Sequence, residues 1–212
     1  MRLDKLIEEK LETTRKEMKR LFALKQVMID GTVEFRQNRN VDSLLHQIEV
    51  AGEHLETHES YYLLNKPEKA VTAVSDPEKT TVIDLIASAD RFQPLYPVGR
   101  LDRDTTGLLL ITSNGQLGYE MLLPEKKVSK TYQCKPADLK ILKADKHQST
   151  VLLTIQEGKF HQVKKMFLAQ GKKVTALKRL SMGPLELDEQ LGVGEYRSLT
   201  LAEMKKLSIY FK

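Results

Sequence analysis

Two carboxylates and two hydroxyls stand within five residues in the stretch Asp102-Arg103-Asp104-Thr105-Thr106. Three kinds of behaviour use such a set. Two acids spaced i, i+2 beside a threonine can hold magnesium for phosphoryl transfer. One carboxylate presented by a loop and set against a cation can act as a nucleophile or base. The same residues can also do no more than cap the apolar run from Gly107 to Ile111 that follows them. The loop alone does not decide among these.

Composition narrows the choice. A chain of 212 residues can bury one sizeable core, or one core plus a small module. Hydrophobic residues make up 41% and charged residues 30%, as in an ordinary globular protein. No apolar run approaches the roughly 20 residues that span a bilayer. Arg2, Asp4 and Lys5 interrupt any signal-peptide pattern, so a cytoplasmic protein with no membrane partner is expected. Cys134 is the single cysteine, which excludes an internal disulfide framework and a multi-cysteine zinc site. The formal charge of +5 is unevenly spread: from Lys126 to Arg179, fourteen Lys and Arg face three acids. That excess of eleven suits a polyanion such as nucleic acid, although a lysine-rich solvated surface has the same composition.

Several elements must position the loop. Leu3, Leu6, Ile7 and Leu11 follow helical spacing, and Thr13-Thr14 ends that helix. Thr14-Arg15-Lys16-Glu17 is a capping box that opens a second helix, with Arg15, Lys16, Lys19 and Arg20 as a basic stripe on its polar side. A hairpin is expected at Asp30-Gly31, a strand over His46–Val50, and a polar linker over Glu53–Ser60. His54 and His58 are spaced i, i+4, but no further ligands lie near them in sequence, which favours a solvated linker over a metal pair. Beyond it come a strand over Tyr61–Pro67, a short helix over Thr80–Ile86, and a buried strand up to Thr112. A helix follows the Ser113-Asn114-Gly115 turn. An edge-like strand ends at Cys134, another strand starts at Val151, and a helix spans Lys159–Gln170 with Gly171 at its C′ position. The junction after Cys134 runs into Lys135-Pro136 without turn residues, with proline where a ladder donor is needed. Strands and helices mix without a βαβ rhythm, so the fold class is α+β with a mixed sheet.

The spacing Asp-x-Asp-x-Thr resembles haloacid-dehalogenase-type phosphatases. However, Pro97-Val98-Gly99-Arg100 precedes it in place of a continuous strand, and no acidic pair of the required kind lies downstream. A longer set of blocks fits better. "GRLDRDTTGLLLITSNGQL", with "YYLLNKP", "KTY", "EGKFHQVKKMF" and "RLSMGPLELDEQLGVGEYRSLT" in that order, closely resembles bacterial pseudouridine synthases of the small-subunit, RsuA-type branch. The first module is similar to the α-L RNA-binding module of that branch. The resemblance implies an α-L module over residues 1–57 and a catalytic domain with a mainly antiparallel mixed sheet over 58–212. It implies isomerisation of uridine to pseudouridine in 16S ribosomal RNA, on a small-subunit assembly intermediate, by a monomer with no cofactor and no metal. Large-subunit 23S RNA is the alternative substrate, and a non-catalytic ribosome-associated RNA-binding protein the alternative function.

Residue by residue, Asp102 falls at the catalytic aspartate and Arg100 at a basic position near the turned-out nucleotide. Tyr132 matches the tyrosine that stacks on the base, and Lys164 the basic partner of the aspartate, which is Arg in many relatives. Leu177 matches the apolar residue against the base. Lys165 and the stripe of Arg15, Lys16, Lys19 and Arg20 would meet RNA, and Asp104 would shape the loop. Two departures stand out. Lys69 replaces a glycine that follows Asn-Lys-Pro, and the connection after the Lys-Thr-Tyr strand is shorter than in relatives.

Overall fold

The computed structural model of the chain describes residues 1–134, 140–144 and 149–211. Lys135 and Pro136, at the junction singled out above, lie outside them. Helix α1 (Leu3–Leu11) buries Leu3, Leu6 and Ile7, the residues its spacing puts on one face. Helix α2 (Arg15–Ala23) opens with the capping box: Thr14 accepts from the Glu17 amide while Glu17 accepts from the Thr14 amide at 2.8 Å. It buries Met18 and Phe22 and leaves Arg15, Lys16, Lys19 and Arg20 exposed. Both helices cover a small sheet of β1 (Val27–Ile29), β2 (Thr32–Val33), β3 (Ile48–Val50) and β4 (Glu53–His54), in the order β2-β1-β3-β4.

Asp30 and Gly31 both take positive φ, 53° and 73°, the geometry that a two-residue hairpin turn requires. Ala51 and Gly52 do the same at 52° and 86°, so a second hairpin folds where a linker was expected. Glu53 and His54 pair with Val50 and Glu49, and Leu55 behind them is buried.

The larger sheet contains β5 (Tyr61–Lys66), β6 (Tyr96–Pro97), β7 (Thr105–Thr112), β8 (Lys130–Cys134), β9 (Lys140–Ala144), β10 (Ser149–Ile155), β11 (Leu177–Met182), β12 (Leu185–Glu186) and β13 (Tyr196–Ser198). Its order is β13-β5-β7-β11-β8-β10-β9, with β6 beside β7 and β12 beside β11. All its ladders are antiparallel except β7 with β11. Alternation sends Tyr62, Leu64, Leu109 and Ile111 into one apolar layer and Tyr61, Leu63, Leu108 and Leu110 into the other. Both layers are covered, so β5 is buried along its length and β7 at every residue but Thr106, with apolar runs at their centres. Each such aliphatic side chain contributes about 1.5–3 kcal/mol of burial energy. Helix α3 (Gly115–Leu122) and helix α5 (Leu201–Lys206) cover the second layer, and α4 (Gln162–Leu168) places Val163 and Phe167 in the first.

Three expectations are corrected. The Lys-Thr-Tyr strand is interior, because β8 pairs with β11 on one side and β10 on the other. Residues 80–86 form a turn and not a helix: Thr81 and Asp84 exchange capping bonds, but only one further bond follows, from the Ile86 amide to the Ile83 carbonyl at 3.1 Å. Burial of Val82, Ile83 and Ile86 holds that turn without helical propagation. Helix α4 begins at Gln162, three residues later than its apolar spacing suggests, because His161 takes φ 53°.

The two sheets meet through buried polar contacts. The Tyr61 hydroxyl donates to Asp42 at 2.5 Å and accepts from Asn114 at 2.9 Å, and Asn40 donates to the Tyr210 carbonyl at 3.3 Å. Among the described residues no helix is long and apolar enough to cross a membrane.

Candidate active site

The acidic loop leaves β6, turns at Gly99 with φ 77°, and enters β7 through a turn closed by the Thr105 amide on the Asp102 carbonyl at 3.0 Å. The segment after β5 clamps it. Lys66, fully buried, aims its ammonium at the Pro67 carbonyl at 2.9 Å, the Thr105 carbonyl at 3.0 Å and the Arg103 carbonyl at 3.4 Å. The Lys69 amide donates to the same Arg103 carbonyl at 2.8 Å, and Thr72 bonds both the Leu101 carbonyl and amide. Lys69 has φ 71°, so the left-handed turn suited to glycine is kept here by a lysine.

Clamped in this way, Asp102 faces α4. Lys164 donates to its Oδ2 at 2.9 Å, and His161 Nε2 lies 3.4 Å from its Oδ1. The left-handed backbone at His161 turns that ring back toward the acid. Lys164 also reaches Asp104 at 2.6 Å. Burial alone would lower the Lys164 ammonium, but hydrogen bonds to Asp104 and then Asp102 outweigh it and raise its proton affinity. Asp104 is held below the ordinary carboxylate range, first by its bond to Lys164. Its side chain is 70% exposed against 29% for Asp102, so solvent screens the outer pair far more than the inner one.

Lys66 carries a testable consequence. Burial pulls its ammonium down to about 8, against the opposing pull of Asp104, Asp102 and Glu68. Between that value and the ordinary 10.5, the unfolded chain binds the proton that the folded chain has released. Wild-type stability should therefore rise relative to Lys66→Met as pH increases through this window, as read by denaturant unfolding at several pH values. A difference that does not change with pH would refute the assignment.

A cleft of about 680 Å³ opens on the loop, lined by Arg100, Asp102, Tyr132, Lys164 and Leu177 together with His161, Lys130 and Arg179. Tyr132 and Leu177 are 7% and 8% exposed and form a narrow apolar wall. Lys165 points away from this cleft, with its ammonium 5.0 Å from the centre of the exposed Phe160 ring. Arg15, Lys16, Lys19 and Arg20 lie on α2, apart from it. Lys66, Lys130, His161 and Arg179 were not singled out from the sequence. Each lies inside one of the quoted blocks, but all four become notable only through neighbours distant in the chain.

Asp102 and Asp104 thus share one lysine across a cleft from Tyr132 and Leu177, on a mainly antiparallel mixed sheet. The chain belongs to the RNA pseudouridylate synthase family, whose model matches residues 60–169. It is 39% identical to an uncharacterized RNA pseudouridine synthase of Bacillus subtilis, YtzG, over 98% of both chains. It is 35% identical to ribosomal small subunit pseudouridine synthase A of Vibrio cholerae over 98% of this chain and 99% of that one. A crystal structure of a pseudouridylate synthase superposes with a TM-score of 0.62 at 31% identity, covering 98% of this chain and 99% of its own. The Bacillus alignment runs over 236 positions against 212 residues here, so that relative carries at least 24 residues that this chain lacks.

Proposed function

We propose that this pseudouridine synthase isomerises a uridine of 16S ribosomal RNA, with Asp102 as the catalytic residue, in the cytoplasm and as a monomer acting on a small-subunit assembly intermediate. The observation that carries the reading is the Asp102–Lys164 contact at 2.9 Å within a cleft walled by Tyr132 and Leu177. That contact fixes the Asp102 side chain at the cleft, where a carboxylate can attack or accept a proton. The target base must leave its stack, at a cost of a few kcal/mol, which an aromatic face and phosphate-binding lysines offset. Tyr132 supplies the face, Leu177 the apolar backing, and Arg100 contacts the turned-out nucleotide at the cleft edge. Full-length similarity to small-subunit synthases supports the choice of 16S RNA.

Pseudouridine mapping of ribosomal RNA from cells lacking the protein tests this. One 16S pseudouridine should vanish, returning with the wild-type gene but not with Asp102→Asn. Loss of a 23S pseudouridine would move the substrate to the large subunit. Persistence of every ribosomal pseudouridine would overturn the proposal.

Residues 1–57 act in this reading as an RNA-binding module and 58–212 as the catalytic domain, with Lys165 and the stripe of Arg15, Lys16, Lys19 and Arg20 on phosphates. Replacing Arg15 and Arg20 by Gln should weaken RNA binding and reduce the slope of log K against log salt by about 1 to 2. An unchanged slope in filter-binding assays would return the stripe to plain solvation.

A further inference from the structure

A cation lies buried in the cleft wall with no counter-ion among the described residues. Arg179 is 2% exposed and sits opposite Gly107 of β7 on one side and Tyr132 of β8 on the other. Pairing between β7 and β11 stops at Gly107, and β6 takes up β7 further along, with the Val98 amide on the Leu110 carbonyl at 2.8 Å. Arg179 fills the fork by donating from Nε to the Leu108 carbonyl at 2.7 Å. Its Nη2 is buried and meets no hydrogen-bond partner among the described residues. Beside it Lys130 also lines the cleft, with its ammonium on the Val128 carbonyl at 2.8 Å. Burial and then Arg179 lower the proton affinity of Lys130, while burial lowers that of Arg179 against a favourable contact with Tyr132.

Closing a fork between strands does not require a guanidinium. Methionine would fill the space and leave no unused donor. Two desolvated cations side by side are unfavourable unless an electron-rich ligand completes them. A phosphate would have to shed its water against the buried Val128 and Met182, whereas the exposed Lys127 and Lys159 are available to it at the rim. A neutral pyrimidine brings carbonyl acceptors with far less hydration to shed than a phosphate.

We infer that Arg179, assisted by Lys130, contacts the substrate: its free Nη2 donates to a carbonyl oxygen of the turned-out uracil and stabilises the negative charge that develops there. This rests on the cleft being the uridine-isomerising site. When the C1′–N1 bond breaks, its electron pair leaves on the base and spreads over N1 and the two carbonyl oxygens. The base turns, C5 bonds to C1′, the C5 proton leaves, and N1 takes up a proton. A fixed cation near a carbonyl oxygen acts on the charge at its maximum.

The test uses the full-length enzyme and the 16S fragment that mapping assigns, carrying uracil, 2-thiouracil or 4-thiouracil at the target. Sulfur accepts hydrogen bonds more weakly than oxygen. With wild type, one thio fragment should react at least about tenfold more slowly at similar affinity, the scale of a bond to a charged donor. Arg179→Met should slow the uracil fragment by about tenfold and then barely distinguish that thio fragment, with Arg179→Lys recovering part of the rate. If Arg179→Met slows all three fragments in proportion and lowers the melting temperature, the residue is only structural and the inference fails. Should that variant not fold, the wild type and Lys130→Met decide, and equal rates on all three fragments overturn the inference. Isomerisation that ignores the thio substitutions refutes this inference alone; no isomerisation at all refutes the proposed function.

Discussion

Asp102→Asn is expected to lower pseudouridine formation by at least about 10³-fold, the scale on which enzymes lose rate with their nucleophile. Asparagine keeps the shape of the side chain and can still accept from Lys164, so the loop stays clamped through Lys66, Lys69 and Thr72. What disappears is the negative charge. RNA affinity should stay within about threefold, because phosphate contacts dominate binding. Single-turnover assays on the 16S fragment, read by mass spectrometry, separate rate from affinity. A rate within tenfold of wild type would remove Asp102 from the chemistry. Asp104→Asn serves as the comparison: its carboxylate is exposed and touches the shared lysine from outside, so the loss should be far smaller.

Gly107→Ala is expected to destabilise the fold by roughly 3 kcal/mol or more, a fall of about 10 °C in Tm for a chain of this size. Gly107 lies inside β7 with φ 97°, a conformation that side chains disfavour. An added Cβ would lie 2.2 Å from the Arg179 carbonyl oxygen and 2.8 Å from its amide nitrogen. Both are backbone atoms of the neighbouring strand, so no rotamer change relieves the clash. The β7–β11 ladder must part, and with it the acidic loop moves away from the wall formed by Tyr132 and Leu177. Gly115→Ala, at the open start of α3, should melt within about 0.5 kcal/mol of wild type. Equal melting of the two variants in calorimetry would show that the strands are not held this closely.

Local signals in the chain were legible where local forces decide. The Thr14–Glu17 capping box and the Asp30-Gly31 hairpin need only neighbours within a few residues, and both form as expected. The turn at residues 80–86 and the late start of α4 were misread from the same kind of signal. In the first, tertiary burial of Val82, Ile83 and Ile86 holds one turn without its helix; in the second, a left-handed His161 serves contact with Asp102. The interior position of β8 could not be read, because alternation within a strand does not say which strands flank it.

The blocks around Asp102 and Lys164 marked both residues as candidates, but their contact spans 62 positions of sequence. Asp104 looked like loop decoration and turns out to share that lysine, a fact of where α4 docks. By itself, the sequence determined which chemistry was available: one acidic loop, a tyrosine, a lysine-bearing helix and the order of blocks that marks the family. Tertiary structure alone decided which carboxylate is sheltered, that Lys66 gives up its proton near 8, and that Arg179 lies in the cleft with an unused donor. Composition and spacing specify groups, whereas desolvation and counter-charge depend on what distant strands bring within a few ångströms.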